Sequence, residues 1–330
     1  MAQPFLKCIF AFQIHWKMTK FKAWVAAARL RTLPLSVSGI IVGASAGNAV
    51  LNNAGLNHHF TGSNYSQLWQ SSIFWLAILV TIGFQVLSNF ANDYGDGIRG
   101  TDAKREGEKR MVASGIISPK QMKIGMIITG VVTFILATIL IFRAFGNESF
   151  IISFVFFNLT IVSIIAAVKY TVGKKAYGYS GLGDAFVFLF FGLLSVLGSY
   201  YLFTHSINIQ LLLPAIAIGC FSTAVLNLNN MRDIENDAAV GKNTLVVKLG
   251  SQKSKRYHAF LLLFGIFCAI IFTVINYREP LQFVYLIAFI PFLLNIKTVF
   301  KNNSPMLLDG ELKKVALSTF LFAILFSIFI

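Results

Sequence analysis

The chain has 330 residues, of which 56% are hydrophobic and 12% charged, and its mean hydropathy is +0.70. A soluble domain of this length carries about twice that fraction of charged residues, so the composition excludes an ordinary soluble protein and indicates a multi-span helical membrane protein. The formal net charge of +15 would suit nucleic-acid binding, but the positions of the charges exclude that class, as described below. Cys8, Cys220 and Cys268 are widely spaced and predict neither a disulfide nor a redox site.

Nine apolar segments are long enough to cross a bilayer, which takes about 20 residues of helix. The predicted spans are 33–51, 71–91, 122–142, 149–168, 184–203, 210–228, 258–276, 281–299 and 314–330. Residues 1–28 are interpreted as a cytoplasmic or interfacial segment without a signal peptide, with Met18 as an alternative start. Residues 29–330 are predicted to form a single transmembrane domain. The predicted fold is therefore an all-α membrane protein with about nine helices around a central cavity.

Basic residues lie almost entirely on one side of these spans. Of the 28 Lys and Arg residues, 26 fall in the N-terminal segment or after the second, fourth, sixth and eighth spans. Only Arg143 and Arg278 fall on the other side. By the positive-inside rule, the N-terminus and the connections rich in basic residues face the cytoplasm.

The second predicted span ends in a cluster of acids and carboxamides. From residue 89 the sequence reads Asn-Phe-Ala-Asn-Asp-Tyr-Gly-Asp-Gly-Ile-Arg-Gly-Thr-Asp. If the helix continues through Asp96, then Asn89, Asp93 and Asp96 share one face, and Asn92 pairs with Asp96 at i, i+4 beside it. Such side chains are costly near hydrocarbon and usually face a polar cavity. Oxygen ligands without a nearby Cys or His suit Mg²⁺.

The sixth predicted span ends in a similar cluster. Asn229, Asp233 and Asp237 recur every fourth residue and would share one helix face. Helix-end capping explains one such cluster, but it explains two matched clusters on the same membrane face badly. We therefore predict two related halves that each contribute a metal-binding face to one cavity, with two Mg²⁺ ions and a diphosphate between them.

The connection between the fourth and fifth spans, residues 169–184, combines glycines with lysines and tyrosines. Glycine permits a close backbone approach. Lys174 follows one of these glycines and is predicted to contact phosphate oxygens, as is Lys242 after the second cluster. Asp184, which opens the fifth span, is interpreted as a helix cap.

Two other basic stretches have two interpretations each. Arg29 and Arg31 precede the first span and either anchor its orientation or face an anionic substrate. The run from Asp102 to Arg110 is either a solvated loop or a lid over phosphates. A substrate contact is predicted for Arg99, with Arg110 as a second candidate.

The sequence does not contain the motifs of two common kinds of enzyme chemistry. The sequence lacks the Walker pattern G-x-x-x-x-G-K-[ST] and has no Ser-His-Asp pattern. Acids with lysines nearby instead favour ionisation of a lipid diphosphate over nucleotide hydrolysis. A transporter is the alternative class, because carriers also have intramembrane acids and two related halves. A carrier should place its charges near the bilayer midplane, whereas these acids lie at helix ends.

The motifs Asn92-Asp93-x-x-Asp96 and Asp233-x-x-x-Asp237 resemble those of the UbiA superfamily of intramembrane prenyltransferases. The resemblance extends from about Arg29 to the end of the chain. In the 4-hydroxybenzoate branch the first motif reads N-x-x-x-D-x-x-x-D, whereas here residue 100 is Gly and the third acid is Asp102. The longer spacing resembles the branch that prenylates 1,4-dihydroxy-2-naphthoate. So do Tyr-Thr-Val-Gly at 170–173, Tyr-Gly-Tyr-x-Gly-Leu-Gly-Asp at 177–184 and Gly-Lys-Asn-Thr-Leu-Val-Val at 241–247.

This resemblance implies a UbiA-type fold in the bacterial inner membrane. It also implies Mg²⁺-dependent transfer of a polyprenyl group from polyprenyl diphosphate to 1,4-dihydroxy-2-naphthoate, with loss of CO₂ and diphosphate, in menaquinone biosynthesis. Another acceptor, such as 4-hydroxybenzoate, haem or a chlorin, is the alternative. One Mg²⁺ would be held by Asn92, Asp96 and Asp102, and the other by Asn229, Asp233 and Asp237.

Further roles follow from the same resemblance. Lys174 and Lys242 would bind the diphosphate, and Tyr170 would lie near the reacting allyl carbon. Asp93 would orient or deprotonate a naphthol hydroxyl, and Arg29 would meet the naphthoate carboxylate. Apolar side chains of the spans would line a tunnel for the polyprenyl tail or contact membrane lipid.

Overall fold

The computed structural model describes residues 20–53, 67–100, 110–146, 149–173 and 176–330, and within these ranges all regular structure is helical. The long helices are α2 (Leu33–Asn53), α3 (Ser72–Arg99), α4 (Pro119–Phe145), α5 (Phe150–Lys169), α6 (Gly183–Thr204), α7 (Leu212–Arg232), α10 (Ser251–Ile275), α11 (Pro280–Lys301) and α12 (Leu308–Ile328). The short helices are α1 (Lys20–Ala28), α8 (Ile234–Ala239) and α9 (Leu245–Leu249).

Eight helical segments of the described chain are long and apolar enough to cross a membrane, with α1 and α2 taken together as one. The ninth long helix, α12, has 21 residues but begins with Asp309, Glu311, Lys313 and Lys314. Each long helix overlaps one predicted span. The prediction of an all-α membrane protein with about nine helices is confirmed.

A kink at Arg29 separates α1 from α2. Arg29 has φ 49° and ψ 58°, a left-handed conformation that residues other than glycine adopt only rarely. Asn89 of α3 donates to the carbonyl of Ala28 at 2.9 Å, and the Thr32 hydroxyl donates to the carbonyl of Arg29 at 2.9 Å. These bonds satisfy carbonyls exposed by the kink. The described part of the predicted N-terminal segment, α1, shares an apolar cluster with α3.

Three glycines spaced by four residues on α2, Gly39, Gly43 and Gly47, bring this helix against α6. A Cβ placed on Gly43 would lie 2.0 Å from the carbonyl oxygen of Val196, and one on Gly39 would lie 1.9 Å from the Ser195 hydroxyl. Small residues at this spacing let membrane helices approach closely, because no side chain separates the backbones. The two helices thereby form one wall shared by both halves of the bundle.

The remaining helices pack on either side of this wall. On one side, α7 packs against α10 and α12, and α12 returns to α2. On the other side, α3 packs against α4 and α5. A cavity of about 340 Å³ lies between α2, α3, α4, α5 and α6. Within α6, residues Phe188–Leu194 form a π-helical segment, a feature frequent at functional sites, and Phe190 and Phe191 line the cavity.

The glycine contact predicts a large stability effect for a small change. Gly43→Ala should lower the free energy of unfolding by about 1–3 kcal/mol, because the added methyl group collides with the backbone of α6. Gly130→Ala in α4 is the matched control, since the nearest atom to its Cβ would be Leu87 Cδ2 at 3.9 Å. Thermal unfolding in detergent measures both variants. Equal midpoints for the two would contradict the close packing of α2 and α6.

Candidate active site

The first acidic cluster lies at the end of α3, which is helical through Asp96 to Arg99, as the predicted spacing requires. Asn92 lines the cavity, and its Oδ1 lies 3.1 Å from the Thr171 hydroxyl. Asp96 is buried. Its Oδ1 accepts from the Tyr179 hydroxyl at 2.6 Å, and its Oδ2 accepts from the Arg110 guanidinium at 3.4 Å. The predicted pair is therefore held by two segments distant in sequence.

Two glycines allow the connection between α5 and α6 to approach this cluster. A Cβ on Gly95 would lie 2.7 Å from the carbonyl oxygen of Thr171. A Cβ on Gly178 would lie 2.6 Å from the carbonyl oxygen of Tyr170, which accepts from the Gly178 amide at 2.9 Å. Since any side chain at either position would collide with backbone, glycine places Tyr170 and Tyr179 beside the acids. The predicted close approach is confirmed at Gly178.

The second cluster differs from the predicted uninterrupted helix. α7 ends at Arg232, and Asp233, with φ −96° and ψ 10°, separates it from α8. The Asp233 amide still donates to the Asn229 carbonyl at 3.2 Å, and the Asp237 amide donates to the Asp233 carbonyl at 2.8 Å. The four-residue spacing is thus kept across the helix break.

Arg232 binds the predicted ligands of this second cluster. Its Nε and Nη2 each lie 2.8 Å from an oxygen of Asp233, and Nη2 lies 2.9 Å from Asn229 Oδ1. Its Nη1 donates to Asp309 of α12 at 2.6 Å, and Asp309 lies 3.8 Å from Arg31. Arg232 is not among the site residues predicted from the sequence, although its place directly before Asp233 is a signal for such a role.

Tyr179 connects the two clusters. Besides its bond to Asp96, its ring lies 4.0 Å from the Arg99 guanidinium and 5.6 Å from Lys242 Nζ. Lys242 Nζ is also 3.4 Å from Asp237 Oδ1, and Arg99 donates to the carbonyl of Gly173. The two basic residues predicted to bind substrate, Arg99 and Lys242, therefore lie beside the same ring. Tyr170 is the tyrosine of this connection that was predicted for the site, and Tyr179 was not predicted.

Tyr170 lines the cavity and packs edge to face against Tyr177, with ring centroids 5.3 Å apart. Burial raises the pKa of the Tyr170 phenol far above its usual range, and the negative charges of Asp184, Asp96 and Asp237 raise it further. Tyr170 therefore remains a neutral phenol. Two of these acids, Asp96 and Asp237, belong to the two different clusters.

Burial likewise raises the pKa of Tyr177, whose hydroxyl donates to the carbonyl of Ala166 at 2.8 Å.

Asp184 was predicted to cap α6, but it does not occupy the cap position. The helix begins at Gly183, and Asp184 lies within its first turn. Its carboxyl group is buried and lies near the hydroxyl of Tyr257 of α10.

Asp93 makes contacts different from those expected of a residue that binds substrate. Its two carboxylate oxygens accept from the backbone amides of Met111 and Val112 at 2.9 and 2.8 Å, and the side chain is buried. These bonds hold the segment that carries Arg110. Arg29 lies close enough for its charge to act on Asp93. Neither Asp93 nor Arg29 is among the described residues that line the cavity.

The predicted Asp102 and Lys174 lie outside the described residues. Within the described part of the chain, no three Asp, Glu, His or Cys side chains form a group that would hold a metal ion by themselves. Each cluster instead pairs a carboxamide with a carboxylate, and cationic side chains contact the acids. These hard oxygen donors fit Mg²⁺, which keeps few protein ligands.

The contacts of Arg232 predict its effect on stability. Arg232→Met should lower the free energy of unfolding by about 3 kcal/mol, since it leaves the buried Asp233 without its cation. The double variant Arg232→Met, Asp233→Asn should recover part of this loss, because a neutral side chain needs no counter-charge. Thermal unfolding in detergent measures the variants, with the exposed Arg256→Met as control. An Arg232→Met variant as stable as this control would contradict the pairing.

The fold is similar to that of a solved structure, described as a UbiA homolog from Archaeoglobus fulgidus bound to GPP and Mg²⁺. The TM-score is 0.62 at 14% sequence identity, and the match covers 92% of this chain and 99% of the archaeal chain. At this identity the likeness concerns the fold alone.

Two curated relatives are similar over nearly their whole length, and both are named 1,4-dihydroxy-2-naphthoate octaprenyltransferase. The relative from Haemophilus influenzae is 41% identical, covering 94% of this chain and 96% of its own. The relative from Escherichia coli is 37% identical, covering 94% and 95% respectively. A sequence model of the UbiA prenyltransferase family matches residues 60–306, and the chain therefore belongs to the UbiA prenyltransferase family.

Proposed function

We propose that this protein transfers a polyprenyl group from polyprenyl diphosphate to 1,4-dihydroxy-2-naphthoate, with loss of CO₂ and diphosphate, and so forms demethylmenaquinol. The observation that carries the proposal is the junction of the two acidic clusters at Tyr179, which binds Asp96 of the first cluster and lies beside Lys242, the partner of Asp237 in the second. Asn92 and Tyr170, from the same region, line one end of a largely apolar cavity. The names and coverage of the bacterial relatives support the naphthoate as acceptor.

Two Mg²⁺ ions are proposed for the polar end of the cavity. Asn92, Asp96 and Asp102 would hold one ion, and Asn229, Asp233 and Asp237 the other. Bound there, Mg²⁺ would supply the charge that stabilises diphosphate as it leaves. The archaeal UbiA homolog, described as bound to GPP and Mg²⁺, supports a divalent ion beside a prenyl diphosphate in this fold.

The basic residues around Tyr179 complete the proposed diphosphate site. Lys242 and Arg99 lie on the Tyr179 ring, within reach of the same anion, and Lys174 is proposed to join them. Arg29, half-buried at the kink before α2, is proposed to face the carboxylate of the acceptor. Asp93 is assigned to holding the segment with Arg110, rather than to contact with a naphthol hydroxyl.

The reaction begins with cleavage of the allylic C–O bond, which leaves an allylic cation and diphosphate. The ring of Tyr170 would stabilise this cation through its π face. Because the phenol stays protonated, its oxygen is a weaker nucleophile toward the cation than a phenolate would be. The electron-rich naphthoate ring then forms the new C–C bond, and its carboxylate group leaves as CO₂.

The rest of the cavity suits the polyprenyl tail. Its walls continue from Asn92 along α3 to apolar residues of four further helices, including Ile40, Leu140, Phe190 and Leu202. An isoprenoid chain has no polar group, so it can fill such a cavity without leaving a hydrogen bond unmade. The distribution of basic residues further supports a cytoplasmic position for the polar end, in the bacterial inner membrane.

Loss of either acidic cluster should abolish the reaction. Asp96→Ala and Asp233→Ala should each lower the prenylation rate by about 100-fold or more. Each variant loses a carboxylate proposed to hold Mg²⁺, and with it the positive charge that would stabilise the leaving diphosphate. The assay uses purified protein in detergent with Mg²⁺, a polyprenyl diphosphate and the naphthoate, and follows prenylated product and CO₂ by mass. Glu235→Ala, an exposed acid on the same short helix as Asp237, is the matched control.

The same assay tests the acceptor. Product from 4-hydroxybenzoate alone would show that the acceptor is wrong while the reaction class is right. A folded wild-type protein that prenylates neither acid would contradict the proposed function.

The role of Tyr170 predicts different effects for two substitutions. Tyr170→Phe should keep most of the activity because the π face remains, whereas Tyr170→Leu should lose about 30-fold, the equivalent of a desolvated cation–π contact of about 2 kcal/mol. Single-turnover rates with saturating substrates measure both. Equal losses in the two variants would assign the effect to the hydroxyl instead.

A further inference from the structure

We propose that Gln85 is a specificity-determining residue that accepts a hydrogen bond from a hydroxyl of the aromatic acceptor. The inference rests on the proposed function, because it concerns how the acceptor of that reaction binds. Gln85 lies on α3 and lines the cavity, and Ser88 and Asn92 follow it along the same wall. Polar groups in this order lead from the middle of the helix to the acidic cluster at its end.

Hydrogen bonds around Gln85 determine which way its carboxamide points. The Thr32 hydroxyl donates its hydrogen to the carbonyl of Arg29 at 2.9 Å, so its oxygen accepts from other neighbours. The Asn89 amide nitrogen must face the carbonyl of Ala28 at 2.9 Å, because a carbonyl only accepts. This turns Asn89 Oδ1 toward Gln85.

Both hydrogens of Gln85 Nε2 are therefore engaged. Nε2 lies 3.0 Å from Thr32 Oγ1 and 3.4 Å from Asn89 Oδ1. The amide oxygen Oε1 receives no hydrogen bond among the described residues, and the side chain that carries it is half-buried in the cavity wall. A fixed acceptor in a mostly apolar wall is unfavourable unless a donor enters the cavity.

The aromatic acceptor supplies such a donor, and the polyprenyl tail does not. 1,4-Dihydroxy-2-naphthoate carries two hydroxyl groups, whereas an isoprenoid chain has no polar hydrogen. Gln85 lies seven residues before Asn92, which is about 10.5 Å along the helix axis. A two-ring aromatic between these positions would lie below the diphosphate and present a hydroxyl to Oε1.

The test compares acceptor recognition in purified wild-type protein and in Gln85→Met, which keeps the length of the side chain and removes the acceptor oxygen. Gln85→Met should raise the KM for the naphthoate about fivefold, the effect of one neutral hydrogen bond. The KM for polyprenyl diphosphate should not change. Gln210→Met, at an exposed glutamine outside the cavity, is the matched control.

A second measurement separates recognition from helix packing. The two mono-O-methyl ethers of the naphthoate are used as competitive inhibitors, and wild-type protein should bind one of them less tightly than the other. Gln85→Met should lose this discrimination. Thr32→Val removes the bond that links Gln85 to the turn before α2 but leaves Oε1 and the bond from Nε2 to Asn89, so it should lower the melting temperature and keep the discrimination.

Three results would overturn the proposal. They are equal inhibition of wild type by both ethers, unchanged discrimination in Gln85→Met, and a rise in the KM for polyprenyl diphosphate instead of that for the acceptor. Gln85→Leu replaces the methionine variant if the latter does not fold. Failure of wild type to prenylate the naphthoate at all would be recognised separately, as failure of the proposed function.

Discussion

A carboxylate buried at the end of a membrane helix has given up its hydration, and a cation or hydrogen-bond donors must compensate for that loss. The two acidic clusters meet this requirement with Arg110 on Asp96, Arg232 on Asp233 and Lys242 on Asp237. The cations hold the acids in place and offset their negative charge, which lowers the net charge of the site. When a prenyl diphosphate binds with Mg²⁺, the metal would take over the carboxylates, and the basic side chains would be free to contact the diphosphate.

These partners join elements that are far apart in the chain. Arg232 connects the end of α7 to α12 through Asp309, and Tyr179 connects the end of α3 to the segment before α6. These two contacts at the site therefore also hold the helix bundle together. A substitution that removes one charge at the site should therefore affect both the reaction rate and the stability of the fold.

Close backbone contacts determine the shape around these charges. Glycines on α2 bring α6 into contact with it, and Gly95 and Gly178 bring the connection between α5 and α6 onto α3. Because apolar side chains and lipid differ little in hydrophobicity, such packing contributes much of the association between membrane helices. The cavity is the space left between helices positioned in this way, with polar groups at one end and apolar walls beyond.

Hydropathy and residue spacing alone were enough to predict the nine long helices and the two Asn–Asp pairs, because these features depend only on order along a segment. The break at Asp233, the contacts of Asp93 with Met111 and Val112, and the choice of Tyr179 were decided by tertiary structure. Tyr179 is 83 residues from Asp96, and Arg232 is 77 residues from Asp309. No local pattern indicates which distant cation or hydroxyl reaches a given acid, since that depends on how the helices pack.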